Sequence, residues 1–341
     1  MTGKSTQDAP GEDWAVEDVH PGNPELAALV GDTLAEVEEI LADVLADANT
    51  MAQPAVSKAL RSNRFTRNIP LFTVSAAQAG PRPAGPSLAS AATVIMLVQL
   101  AARCHDEVRD AAVPEYGVPN AMLRRHNSLA VLAGDHFIAH AALLVAPLGT
   151  GLAQLVAETS AAVITGQIHE LSGIPARDPV ARHLWVAQEK MGSLIAACCR
   201  VGGLLSGAGP REIDVLTRFG TIAGTALQIS EELVFTVEHL GRSGPTSALE
   251  RYTLLRTLPM ILGQGAGNAA KDSRRKPCTG PVAVGATEPE QLDPGAGIAA
   301  ARDILRRHVD LAEAELGALR GNVAVTGLRQ LLRYLIERSV R

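Results

Sequence analysis

The strongest constraint on this chain is a rhythm. From about Pro24 onward, apolar residues return at intervals of three and four over runs of twenty or more residues, while strict two-residue alternation is hard to find. A chain written this way folds as helices. The first run, ELAALVGDTLAEVEEILADVLADA, carries its acids opposite the apolar stripe and reads as a packing helix. Further helices are predicted over 56–67, 87–110, 120–145, 150–171, 180–205, 211–239, 249–262, 298–319 and 323–338, and no strand is needed. Ala, Leu and Val dominate and aromatics make up only 3%, which suits helices packed closely on small side chains. With 341 residues at 47% hydrophobic, the chain has enough apolar mass for one large core. The expected fold is all-α, a single-domain helical bundle.

Punctuation divides the rest. AGPRPAGPS, residues 79–87, holds three prolines and two glycines and forces a loop. Residues 1–23 are polar, acidic and rich in Pro and Gly, and read as a disordered leader ahead of a domain spanning 24–341. Residues 263–296 turn to Gly, Pro, Ala and charge and read as a long mobile loop. A net charge of -5 argues against a nucleic-acid or anionic-membrane surface, while leaving room for a small anionic ligand. Residues 129–148 are the most apolar stretch, but Asp135, His136 and His140 interrupt them, so they read as a buried helix and no membrane span is expected. Four cysteines without C-x-x-C spacing read as reduced thiols of a cytoplasmic protein.

Two acidic clusters stand out against this background. In CHDEVRD, the acids Asp106, Glu107 and Asp110 fall within five residues; the two aspartates share a helix face one turn apart, with Glu107 beside it. Glu231 and Glu232 interrupt the otherwise apolar QISEELVFTVEH, preceded by the small-residue run GTIAGTA, and Glu238 lies two turns beyond Glu231. Like charges stacked at an apolar cavity need a cation, and two opposed carboxylate clusters suit hard, oxygen-preferring Mg2+, above all when a diphosphate completes the oxygen shell. Solvated helix faces are the plainer alternative for each cluster taken alone. His136 and His140, four apart, have no third ligand at suitable spacing and read as packing residues rather than a zinc pair.

The order of these motifs resembles the trans-isoprenyl diphosphate synthases, the polyprenyl synthetase family, over roughly residues 60–340. Their HDDxxD corresponds to His105-Asp106-Glu107-Val108-Arg109-Asp110, and GNxxAVLxGDxLxAxA to NSLAVLAGDHFIAHAA at 127–142. GQxxEL corresponds to residues 166–171, KT followed by SL to KMGSL at 190–194, FQIxDDxxD to LQISEELVF at 227–235, and TLP to Thr257-Leu258-Pro259. The resemblance implies a helical bundle of the isoprenoid-synthase type around a central apolar cavity, a prenyl diphosphate substrate and Mg2+ as cofactor. It implies a homodimer, or a heteromer with a prenyl synthase. Carried over by position, it makes Asp106, Glu107, Asp110, Glu231 and Glu232 the metal ligands. Lys190 and Gln228 would contact diphosphate or a developing cation. Small Ala101 and Ala102, one turn before the first motif, would leave room for a long prenyl tail.

The departures fall on cations. The GGKRxRP loop that clamps isopentenyl diphosphate aligns with AGPRPAGP and keeps only Arg82; RRG becomes Glu115-Tyr116-Gly117; GK becomes Leu254-Leu255; and Phe235 replaces the last aspartate of the second motif. Each lost charge-assisted contact weakens diphosphate binding by about 1.5–3 kcal/mol. Loss of the clamp with retention of acids leads to the expectation of an enzyme that ionises one prenyl diphosphate without adding isopentenyl units, as a terpene synthase or atypical prenyltransferase does. An ordinary elongating synthase and an inactive partner subunit are the alternatives. His169 or Glu170 is a candidate base for a final deprotonation, and the KDSRRK run at 271–276 a candidate lid.

Overall fold

The computed structural model describes residues 24–46, 68–110, 120–172, 177–241, 248–264, 293–319 and 323–340. The leader, the predicted helix at 56–67, the loop at 265–292 with its KDSRRK run, and Glu115-Tyr116-Gly117 lie outside the described residues. Among the described residues every regular element is helical, as the spacing requires. They are α1 (Pro24–Ala46), α2 (Asn68–Ala76), α3 (Ser87–Asp110), α4 (Asn120–Val145), α5 (Thr150–Leu171), α6 (Pro179–Ala187), α7 (Ser193–Leu205), α8 (Pro210–Gly241), α9 (Ala248–Leu255), α10 (Leu258–Gly263), α11 (Pro294–Leu316) and α12 (Val323–Val340). One π turn, Gln188–Gly192, joins α6 to α7 without a break.

The core forms around α7, which packs against α3 on one side and α8 on another. α3 packs against α1, α2, α4, α5 and α7, and α8 packs against α7, α11, α12 and the π turn. With few aromatic rings to fill space, the helices approach on small residues. A β-carbon placed on Gly220 would lie 2.6 Å from Ala196 Cα, and one on Gly224 2.4 Å from the Met191 carbonyl oxygen. The GTIAGTA run is therefore a seam, and it presses α8 onto the π turn.

α2 is an element the periodicity does not announce. All nine of its residues are buried, so it has no polar face and no amphipathic signature, and Pro70 falls in its first turn, where a missing N–H costs nothing. It runs parallel to α7: Thr73 meets Cys198, Ala76 meets Gly202, and Gly80 meets Ser206. The AGPRPAGP loop consequently leaves α2 at the C-terminal end of α7. There Arg82 donates its backbone N–H to Ser206 (3.1 Å) and lays its guanidinium on Gly207, whose φ of +72° suits a residue without a side chain.

Among the described residues, two helices are long and apolar enough to cross a membrane, and they differ in burial. The window Ser87–Val108 is 83% buried, as a core helix should be, whereas Asn127–Leu148 is only 33% buried. The second is not the buried helix that its composition implies. Leu132 and Leu143 on α4, with Ile164, Ile168 and Leu171 on α5, stand exposed.

Candidate active site

α3 delivers Asp106 near its C-terminal end, and α5 crosses it there. Asp106 is 9% exposed, and its Oδ1 accepts from the Gln167 amide (2.9 Å), which also donates to the Ala102 carbonyl (2.8 Å). Its Oδ2 lies 3.5 Å from Lys190 Nζ, which reaches Glu170 Oε2 at 2.7 Å. The π turn aims that ammonium, and such turns gather at functional positions. Gly166 makes room for the lysine stem, since a β-carbon there would stand 2.8 Å from Lys190 Cγ. Asp106, Gln167, Glu170 and Lys190 thus form one charged cluster spanning α3, α5 and the π turn.

α8 supplies the opposing acids, and adjacency on a helix points them apart. Glu231 faces the cluster. Its Oε1 is buried and has no hydrogen-bond partner among the described residues. Burial pushes its carboxyl well above the usual range, the Glu232 charge adds to this, and the charges of Arg103 and Lys190 oppose it. Arg103 sits one turn before Asp106, so the surroundings of Glu231 are shared with the first acidic motif.

Glu232 faces away. Its Oε2 accepts from His183 Nε2 (2.8 Å) and the Leu258 backbone N–H (2.7 Å), and its Oε1 from Gln228 Nε2 (2.9 Å). Burial acts to raise its pKa, but the charge and hydrogen bond of His183, with the Leu258 and Gln228 donors, outweigh it and hold the carboxyl below the usual range. Burial likewise disfavours charge on His183, yet Glu232 and the Glu170 charge win and raise its pKa. Each thus favours the charged form of the other.

The structure therefore sorts the sequence-predicted residues. Asp106, Lys190 and Glu231 come together. Glu107 is half-buried beside Asp106, and Asp110 ends α3 with its side chain outside the described residues. Glu232 is occupied by three donors, and Gln228 spends its amide nitrogen on Glu232 instead of standing open to a ligand. Arg82 is misplaced by the motif alignment. It lies at the Ser206 end of α7, about 24 Å along the helix axis from Lys190 at 1.5 Å per residue. The end of α2 nearer Lys190 is its N-terminus, which in sequence follows Arg61, Arg64 and Arg67. Ala101 and Ala102 are packed into the core at 1% and 8% exposure. Glu238 is exposed, and His169 sets its ring edge-on to Trp185 (4.7 Å) at the surface. His136 donates its Nε2–H to the Val44 carbonyl (3.0 Å), as a packing residue does.

Three side chains were missed: Gln167, His183 and Arg256, whose guanidinium reaches the Glu170 carbonyl (2.5 Å) and Tyr252 Oη (2.9 Å). Gln167 is the Q of the GQxxEL match, a signal that could have found it, whereas His183 on α6 and Arg256 at the α9–α10 junction belong to no motif.

A family model described as Polyprenyl synthetase matches residues 56–234. Nonaprenyl diphosphate synthase of Mycobacterium tuberculosis is 33% identical over 329 residues, covering 95% of this chain and 97% of the relative. The chain belongs to the polyprenyl synthetase family. A second relative, dimethylallyltranstransferase of the same organism, is 32% identical over 76% of this chain and 79% of its own length. The crystal structure of geranylgeranyl pyrophosphate synthase from Corynebacterium glutamicum, complexed with calcium and isoprenyl diphosphate, superposes with a TM-score of 0.74 at 30% identity, over 94% of this chain and 99% of that one. This polyprenyl synthetase thus has the all-α fold and family that its motifs imply, and Mg2+ is its cofactor. The donor set fits that ion. Asp106 and Glu231 present carboxylate oxygens from two helices, and the orphaned Glu231 Oε1 is an oxygen a hard cation would complete.

Proposed function

We propose that the chain is a chain-elongating polyprenyl diphosphate synthase, joining isopentenyl diphosphate to an allylic prenyl diphosphate with loss of pyrophosphate. The observation that carries this reading is the convergence of Asp106, Lys190 and Glu231 from three elements on one end of the bundle. Elongation is favoured over ionisation alone because the missing clamp was inferred from Arg82, which belongs to a different end of the molecule. Arg61, Arg64 and Arg67, which precede α2 in sequence, are the cations we assign to the second diphosphate.

When bound, Mg2+ neutralises the charge that builds on the departing pyrophosphate. Asp106 and Glu231 would hold it, with Glu107 and Asp110 beside Asp106. Lys190 donates to the diphosphate from a position fixed by Glu170 and Asp106. Gln167 keeps Asp106 in one rotamer, so no reorganisation is needed when charge moves. The surrounding apolar helices keep water from the allylic cation until the double bond of isopentenyl diphosphate attacks and a proton is lost. We assign the exposed apolar face of α4 and α5 to a homodimer contact with a second copy.

The test is incubation of the pure protein with Mg2+ and geranyl, farnesyl or geranylgeranyl diphosphate, with and without radiolabelled isopentenyl diphosphate. Labelled products longer than the primer are expected. Pyrophosphate release without isopentenyl diphosphate would support an ionising lyase instead, and inertness with every pair would support an inactive partner subunit.

A further inference from the structure

Glu231 and Glu232 are neighbours with opposite surroundings, and the difference assigns them different work. A carboxylate offers about four lone-pair positions. Glu232 has given three of them to donors on three elements, His183 on α6, Leu258 at the start of α10 and Gln228 on its own helix. We propose that His183 and Glu232 form a strut that positions the site, with Glu232 withheld from the metal, so that α8 offers Mg2+ the single carboxylate of Glu231. This rests on the synthase reading and assigns a role within it.

The strut closes a ring of contacts. His183 and Lys190 are seven residues apart on one continuous helix and so share a face, which ties Glu232 to the side of the helix that bears the lysine. Lys190 pairs with Glu170 (2.7 Å), the Glu170 carbonyl accepts from Arg256 (2.5 Å), and two residues after Arg256 the Leu258 N–H returns to Glu232 (2.7 Å). α8, α6, α5 and the α9–α10 junction are each held once in this circuit. Opening it at Glu232 or at His183 therefore loosens Lys190 and Arg256 together, without removing any group that meets the substrate. A second stitch, Thr236 to Thr257 (3.0 Å), keeps the junction on α8 when the strut is cut, so the variants retain the fold.

The experiment compares Glu231→Gln, Glu232→Gln, His183→Leu, His183→Gln and the double variant H183L/E232Q in the full chain. Binding of Mn2+ with inorganic pyrophosphate is followed by electron paramagnetic resonance, alongside steady-state kinetics at saturating Mg2+. Glu231→Gln is expected to weaken Mn2+ by about tenfold or more, and Glu232→Gln and His183→Leu by less than about threefold. The latter two should each lower kcat by about tenfold, and the double variant no further, because they break one device. His183→Gln, whose amide nitrogen can take the place of Nε2, should recover most of that loss. Mn2+ affinity falling as far in E232Q as in E231Q would overturn the proposal, as would additive effects in the double variant. An inactive wild type would sink the synthase reading, and the Mn2+ comparison would still decide the strut.

Discussion

Asp106 is held on one oxygen by Gln167 and faced on the other by Lys190, so its effectiveness depends on a residue with no charge. Replacing Gln167 with Leu leaves a buried acceptor without its donor, a change of about 1–3 kcal/mol, and kcat/KM should fall by about ten- to hundredfold with elongation assays as the check. Asp106→Asn should cost more, since it removes a metal-facing charge. The titrating pair makes a separate prediction. His183 has a raised pKa, so its stabilisation is full below about pH 6.5 and is lost as pH climbs through the folded value; Glu232 has a lowered one, so its share is present above about pH 4.5 and is lost on acidification. Glu231, raised by burial, also favours the folded state less as pH rises. Calorimetric melting temperatures should therefore decline as pH rises above about 6.5, with a shallower slope in His183→Leu, and Glu231→Gln should lack the part of the decline that sets in above about pH 4.5. At this scale the acids were legible because they cluster in sequence. Arg82 misled because a Pro-Gly loop carrying one arginine resembles a clamp in letters, whereas its neighbours in space are Ser206 and Gly207.

Among elements, the long amphipathic helices could be read to within a few residues, because a period of three and four survives any tertiary context that buries one face. α2 escaped for the opposite reason: with all nine residues buried it has no face to alternate. The same loss displaced the alignment of the first basic motif onto the AGPRPAGP loop that follows α2. The π turn also left no trace in QEKMG. Its fit against α8 makes a sharp test. Gly224→Ala would set a methyl 2.4 Å from the Met191 carbonyl oxygen, rigid backbone that cannot swing aside. Activity should drop by about tenfold or more and thermal stability by about 1–3 kcal/mol, measured by denaturation, with Gly31→Ala as the silent control since nothing lies near it.

For the whole molecule, one large core was legible from composition, but the distribution of apolar surface was not. Hydropathy gives α3 and α4 nearly the same score, and only packing separates the 83% buried window from the 33% buried one. If α4 and α5 meet a second copy, then Leu132→Glu with Ile168→Glu should convert a dimer to a monomer in analytical ultracentrifugation, and an unchanged sedimentation coefficient would reject that face. The helix from Pro179 to Leu205 spans this architecture as a shaft with one out-of-step turn near its middle. Removing a single residue from that turn would regularise the hydrogen bonding and, by ordinary criteria, improve the helix. It would also twist everything upstream by about 100° relative to the downstream half. His183 and its tether would then be carried off their partners while α7 kept its own, so activity here is bound to a frame of reading along the shaft, and a length-changing edit can silence the protein without touching a single functional side chain.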